Sequence, residues 1–497
     1  MGKFKENLVK YMDAGFPILF VESFEEEKII KTTREVFQDR NFLKWNIRGL
    51  WEVETENKLL DLPLADTLDF LLEDKSNLQR KVLFLTGVVN FFEDVNVSER
   101  LKLIAQQIND GTINDCTMVI ISPTVRIPIE LEKYVTILNL EFLTPEEIKT
   151  VVLEFIKDYE LSKPNEDFLE ELAVLFKGLT ETDIKNILSL AVSSDGEINR
   201  SDFSLVLEHK QQLIRKSGIL EMVTVKETVE DIGGLENLKI WLQRKANVLK
   251  NITKAINFGV DVPKGVLVVG MPGCGKSLSA KATANLLEFP LLRLDMGRLM
   301  GKYVGESEAN LRRAIELAEA SAPCVLWIDE MEKAFAGIGG AGGAAEVTTR
   351  LFGNFLTWLQ EKNSLAFVVA TANNITILPP ELLRKGRFDE IFYVDLPNEN
   401  ERQKIFEIHI AKRRRQDLDN IDIKSLVSKT KGYSGADIEG IVKDSIETAF
   451  SDNKSQITTE DIVKALNATQ SLSEVMKESI EKLSKIYKDC KFKSASA

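Results

Sequence analysis

The sequence predicts an α/β protein whose main domain is a three-layer, parallel-sheet fold with a helical lid, preceded by a second α/β domain of the same plan. Two observations carry this. From Glu227 to Asp395 short apolar runs alternate with helical patterns, the signature of a parallel sheet wrapped by helices, and beyond Pro397 the pattern turns purely helical. The first 215 or so residues then repeat that plan in an altered form.

Strands are expected at VLVV (266–269), LLRLD (291–295), VLWID (325–329), AFVVATA (366–372) and IFYVD (391–395), and helices at 309–320 and 347–361. The repeat rests on ordered correspondences. KGLTETDIKNI (177–187) matches KGYSGADIEGI (431–441), INRSDFSLVL (198–207) matches ITTEDIVKAL (457–466), and IPIELEK (127–133) matches LPPELLR (378–384). KVLFLTG (81–87) stands where CVLWIDE (324–330) does. In the first copy, PILFVES runs into FEEEK instead of a glycine loop, and Glu25, Glu26 and Glu27 repel phosphate. Thr86 and Gly87 replace the acidic pair, and Pro123 replaces Asn373. This reads as a folded, nucleotide-free copy, the alternative being two unrelated α/β domains with a shared pattern. The expected organisation is 1–216 for the altered copy, 217–229 for a linker, 230–396 for the main α/β part and 397–497 for the lid and a carboxy-terminal helix.

Composition narrows the function classes. A net charge of −13, from 64 basic and 77 acidic side chains, disfavours nucleic-acid partners. The short basic run Lys412 to Arg415 reads as a solvated loop or helix end. Four cysteines without pairing spacing suit a reducing compartment. No segment approaches the apolar length of a membrane span, and no signal core opens the chain. A cytoplasmic protein is expected, or a stromal one if the gene lies in a plastid.

The chemistry concentrates in GMPGCGKS at 270–277. A strand, then GxxxxGK[ST], then a helix directs backbone N–H groups at phosphate, with Lys276 adding charge and Ser277 holding magnesium. VLWIDE then ends a strand in two acids: Asp329 to hold the metal, directly or through water, and Glu330 to orient or polarise the attacking water. Asn373, at the end of the next strand, is placed to hold that water from the other side. Cys274 reads as a small filler whose backbone does the binding, the alternative being that its place at a helix start lowers the thiol pKa and confers redox sensitivity.

With DIGG (231–234), the P-loop, KYVGESE (302–308), WIDE and ELLRKGRFD (381–389), the chain resembles the AAA ATPase family over about residues 227–470. Within it, the chain looks most like AAA-domain proteins encoded in cyanobacterial and red-algal plastid genomes, which also carry a degenerate amino-terminal copy. The resemblance implies ATP and Mg2+ as ligands and a homo-oligomeric ring, usually a hexamer, acting on an unidentified protein substrate or adaptor. It assigns Arg384 and Arg387 as arginine fingers reaching a neighbouring subunit. Asp231, Ile232 and Gly233 would line the adenine pocket, Pro272, Gly273, Cys274, Gly275 and Leu278 would join Lys276 and Ser277 around the nucleotide, and His409, Gly435 and Ala436 would approach from the lid. Lys302, Tyr303, Val304 and Gly305 coincide with a pore-facing loop that grips polypeptide, unless Tyr303 only packs between subunits. The glycine-rich stretch 337–343 reads as a second pore-side loop.

Two departures from the family pattern stand out. TWLQEKNS replaces an acidic-glycine turn, with Trp358 on the apolar face, and the absence of HExxH excludes a zinc protease. Three functions compete: a ring-forming machine that remodels or threads proteins, a nucleotide-gated assembly scaffold, and a nucleic-acid motor, which the acidic balance weakens. In the first, the amino-terminal copy is a recruiting platform or a second ring tier.

Overall fold

The computed structural model describes residues 2–299, 306–335, 343–384, 386–490 and 492–497. They fall into two compact units, residues 1–203 and 204–497, each built around one seven-stranded sheet.

In the first unit the strands are β1 (Ile18–Glu22), β2 (Asn41–Asn46), β3 (Gly49–Glu52), β4 (Lys58–Leu60), β5 (Lys81–Thr86), β6 (Thr117–Ser122) and β7 (Val135–Asn139), in spatial order β4-β3-β2-β5-β6-β1-β7. In the second they are β8 (Leu220–Val223), β9 (Gly265–Gly270), β10 (Leu291–Leu294), β11 (Cys324–Ile328), β12 (Ala366–Ala372), β13 (Glu390–Val394) and β14 (Lys493–Ser494), in order β14-β13-β9-β12-β11-β10-β8. Reversing the second list lays β8-β10-β11-β12-β9-β13 onto β3-β2-β5-β6-β1-β7, with an antiparallel outer pair in both units. The central strands are almost wholly apolar and buried on both faces, as helices covering each side of a parallel sheet require.

Register makes the repeat exact to the residue. Glu22 pairs with Ser122 as Val269 pairs with Ala372, and Thr86 pairs with Ile121 as Asp329 follows the Ile328–Ala370 pair. Thr86 and Gly87 therefore occupy the stations of Asp329 and Glu330. Both Gly87 (φ 71°) and Glu330 (φ 48°) are left-handed, a conformation that costs a side-chain-bearing residue about 1 kcal/mol or more.

After Glu22 only residues 23–25 precede the helix Glu26–Val36, whereas 270–275 separate Val269 from the helix Lys276–Leu287. Three residues and every glycine of the loop are missing. In the second unit, Ala436 N–H at the lid donates to the loop oxygen of Gly273 at 2.9 Å. In the first, a side chain takes this part: Glu25 Oε1 accepts from Glu181 N at 3.1 Å. The lid helices that donate these bonds, Glu181–Asp195 and Gly435–Ser451, begin with matching capping boxes, Thr180 with Asp183 and Ser434 with Asp437.

Two expectations need revision. The stretch 217–229 is not a bare connector, because Leu220–Val223 extends the second sheet antiparallel to β10 and buries Leu220. Nor do strands stop at Pro397. After the helix Lys477–Asp489 the chain returns as β14, parallel to β13, and Ala495 N donates to Tyr393 O at 2.8 Å. Two residues of pairing leave no alternation to read, so the pattern hid this strand.

Trp358 packs against the second unit's core, and its Nε1 donates to Glu319 Oε1 at 2.9 Å, satisfying the indole. Among the described residues no helix is long and apolar enough to cross a membrane.

Candidate active site

The P-loop takes its shape from three glycines at positive φ: Gly270 at 142°, Gly273 at 71° and Gly275 at 89°. A Cβ on Gly273 would come within 2.9 Å of Ser434 Oγ and 3.0 Å of Ala436 Cβ, so the bare loop is what lets the lid settle on it. Gly233 likewise allows the 231–234 segment to lie on the lid helix Glu399–Arg414, since a Cβ there would enter the Ile405 backbone and side chain.

These surfaces enclose a cavity of about 460 Å³, within the usual range of small-molecule sites. Its wall contains Asp231, Ile232, Gly233, Pro272, Gly273, Cys274, Gly275, Lys276, Ser277, Leu278, Asp329, Glu330, Asn373, His409, Gly435 and Ala436. The structure also brings in residues that sequence reasoning did not assign to the site, notably Thr371, Glu401, Ile405, Ile408, Lys412 and Glu439. Positions 401, 405, 408 and 412 repeat at helical spacing, a face that could have been read once His409 was placed on it.

At the phosphate end, Ser277 Oγ donates to Asp329 Oδ1 at 3.0 Å, and Thr371 Oγ1 donates to the same oxygen at 2.7 Å while accepting from Glu330 N at 3.0 Å. Asn373 Nδ2 donates to Glu330 Oε1 at 3.2 Å, and Lys333 forms an ion pair with Glu330. Thr371 was detectable as the polar residue in an otherwise apolar strand.

Lys276 is only 6% exposed, and its ammonium donates to the backbone oxygens of Gly270 (3.0 Å) and Met271 (2.6 Å). Burial lowers its pKa from the ordinary lysine value to about 8, against the pull of nearby acids. An anionic ligand favours the charged lysine, so binding draws a proton once the pH exceeds about 8. ATP affinity is therefore expected to be level with respect to this group below pH 8 and to weaken above it, approaching tenfold per pH unit. A fluorescent-nucleotide titration at pH 7, 8, 9 and 10 measures this, and a flat profile would contradict it.

Cys274 follows the filler reading and not the redox one. Burial beside the lid pushes its thiol up to about 12, outweighing the neighbouring Lys276 ammonium, and Sγ rests 3.5 Å from Pro272 O. The helix start does not make a thiolate here, and the reading as a filler residue stands. His409 is lowered from its ordinary value, by burial first. The run Lys412 to Arg415 is drawn into the lid: Lys412 lines the cavity, Arg413 pairs with Glu439 at 2.7 Å and Arg414 with Asp417 at 2.7 Å.

Neither Arg384 nor Arg387 lines the cavity. Arg384 is exposed, while Arg387 is half-buried with an Nη1 that has no hydrogen-bond partner among the described residues. Lys302, Tyr303, Val304 and Gly305, and the glycine-rich stretch up to residue 342, lie outside the described residues.

A P-loop after β9, an acidic pair at the end of β11, the next strand but one, and a lid settled on the loop define a nucleotide-binding ATPase class. Residues 266–396 match the ATPase family associated with various cellular activities (AAA), and 420–464 match the AAA+ lid domain. Residues 4–140 and 146–217 match the amino-terminal and second domains of SpoVK-like AAA ATPases. The chain is 38% identical to the uncharacterized AAA domain-containing protein ycf46 of Guillardia theta, over 95% of this chain and 92% of that one. It is 34% identical to the ycf46 protein of Pyropia yezoensis, over 97% and 96%. The chain belongs to the AAA ATPase family, in the group with SpoVK-like amino-terminal domains.

Proposed function

We propose that this protein hydrolyses ATP, assembles into a ring and uses the cycle to remodel or thread protein partners. One observation carries the hydrolytic part: Lys276, Ser277, Asp329, Glu330 and Asn373 face one cavity of nucleotide size, and Asn373 and Glu330 are already hydrogen-bonded. In this reading Lys276 and the loop N–H groups hold the phosphates, and Glu330, aimed by Asn373, takes the proton of the attacking water. The Ser277 hydroxyl and Asp329 carboxylate, 3.0 Å apart, are the hard oxygen donors that magnesium shares with phosphate. Bound there, magnesium neutralises charge on the phosphate oxygens.

Ring assembly is supported by the exposure of Arg384 outside its own cavity, the placement needed by a residue that serves a neighbour's site. Remodelling rests on the KYVGESE motif, and the acidic balance favours protein over nucleic acid as substrate. The first unit, lacking a phosphate loop, serves as platform or second tier without nucleotide. A reducing compartment, cytoplasm or plastid stroma, fits the unpaired cysteines.

Mixing two inactive variants tests the shared site. Glu330→Gln lacks the base but supplies Arg384, whereas Arg384→Ala keeps the base. Each alone is expected to be nearly inactive, and an equimolar mixture to recover roughly a quarter of the wild-type rate, the fraction of head-to-tail interfaces joining an intact site to an intact arginine. No recovery, together with wild-type turnover that is independent of dilution, would rule out a shared site.

A further inference from the structure

Asn373 sits where the sheet stops holding it. The β12–β9 ladder ends at the Ala372–Val269 pair, and an Asx turn at Asn374 leads the chain away. Its peptide groups are held by two side chains instead. Glu332 Oε1 accepts from Asn373 N at 2.9 Å, and the Tyr487 hydroxyl donates to Asn373 O at 3.1 Å.

We propose that Tyr487 is a positioning residue for ATP hydrolysis: acting with Glu332, it clamps the Asn373 backbone so that the side-chain amide faces Glu330. The inference rests on the hydrolytic reading above. The clamp has little slack, because both of its arms are buried. Tyr487 is 1% exposed and stacks on Tyr393 with ring centroids 4.3 Å apart, while Leu483 and Ile486 of the same helix pack on the core beneath. Glu332 is 8% exposed, and its Oε2 has no partner among the described residues. A buried carboxylate with one oxygen idle and the other on a peptide N–H is costly, and its placement is accounted for by the peptide it holds.

The helix bearing Tyr487 is itself fastened. Beyond it, β14 joins β13, and the carbonyl of fully buried Ala495 accepts from Asn237 N (3.0 Å) and Leu238 N (3.2 Å). Those N–H groups open the helix Glu236–Lys250, directly after the 231–235 segment of the cavity wall. The carboxy-terminal segment therefore reaches Asn373 through Tyr487 and, through Ala495, the start of the helix that follows the 231–235 segment.

The test uses the full-length chain. Tyr487→Phe keeps the ring and its stacking and deletes only the hydroxyl. Single-turnover hydrolysis is expected to slow about five- to tenfold, the worth of one well-placed hydrogen bond, with ATP affinity within about twofold of wild type. Glu332→Ala, as an independent arm, is expected to lower the rate at least as much with affinity again preserved. Both losses should vanish in an Asn373→Ala background, because the clamp acts through that residue. A purely packing role would instead lower the melting temperature and multiply with Asn373→Ala. Wild-type turnover in Tyr487→Phe, or an undiminished loss in the Asn373→Ala background, overturns the proposal. A wild-type chain that binds ATP and never hydrolyses it overturns the functional reading, and the clamp with it.

Discussion

Glu330→Gln is expected to bind ATP at close to wild-type affinity and to hydrolyse it about 10²–10⁴-fold more slowly, the usual cost of removing a general base. The geometry separates the two effects. In the proposed reading phosphate binding falls to Lys276 and the loop amides, whereas Glu330 is held by Asn373 and Lys333. A glutamine is isosteric, accepts from Asn373 through its carbonyl oxygen and keeps the left-handed turn, but it cannot take a proton. Nucleotide titration and phosphate release, measured on one preparation, check this. Turnover within tenfold of wild type would remove Glu330 from the chemistry.

Gly270→Ala is expected to be the most damaging single methyl in the second unit. Gly270 closes the β9–β13 ladder at φ 142°, opposite Val394, whose oxygen accepts from Met271 N at 3.0 Å. A Cβ would collide with that same Val394 carbonyl, which is backbone and cannot rotate away. The cost should be about 4 kcal/mol, at the severe end for point substitutions. The second unit's melting transition should fall by about 10 °C, with the first unit's unaffected. ATP binding should be lost as well, because the Lys276 ammonium is anchored on Gly270 O. Calorimetry with and without nucleotide measures both, and an unchanged second transition would mean that β13 can yield.

Much of the architecture was legible because it is written in short range. The parallel strands are solid apolar runs, and the acid pair and glycine loop abut them, so strand ends located the chemistry. The repeat was readable for the same reason: Thr86, Gly87 and Pro123 stand one for one at the register positions of Asp329, Glu330 and Asn373. What escaped depends on contacts between distant segments. Tyr487 lies more than a hundred positions from Asn373, and β14 spans two residues, so neither leaves a periodic trace. For Cys274 the sequence showed the helix start but not the lid that buries the thiol, so it could raise a redox reading beside the filler reading without excluding it. Glu25 was read as a phosphate repellent, yet the structure also makes it the acceptor that holds its own unit's lid helix.

The shared left-handed corner after β5 and β11 has a meaning of its own. In the first unit it survives where nothing acidic remains, filled by the one residue that tolerates it freely. The bend is therefore common to both units whatever residue stands there, so it belongs to the shared backbone plan and not to the acid that the second unit carries on it. Glu330 holds that corner at a cost in backbone strain that a glycine, as at Gly87, does not bear.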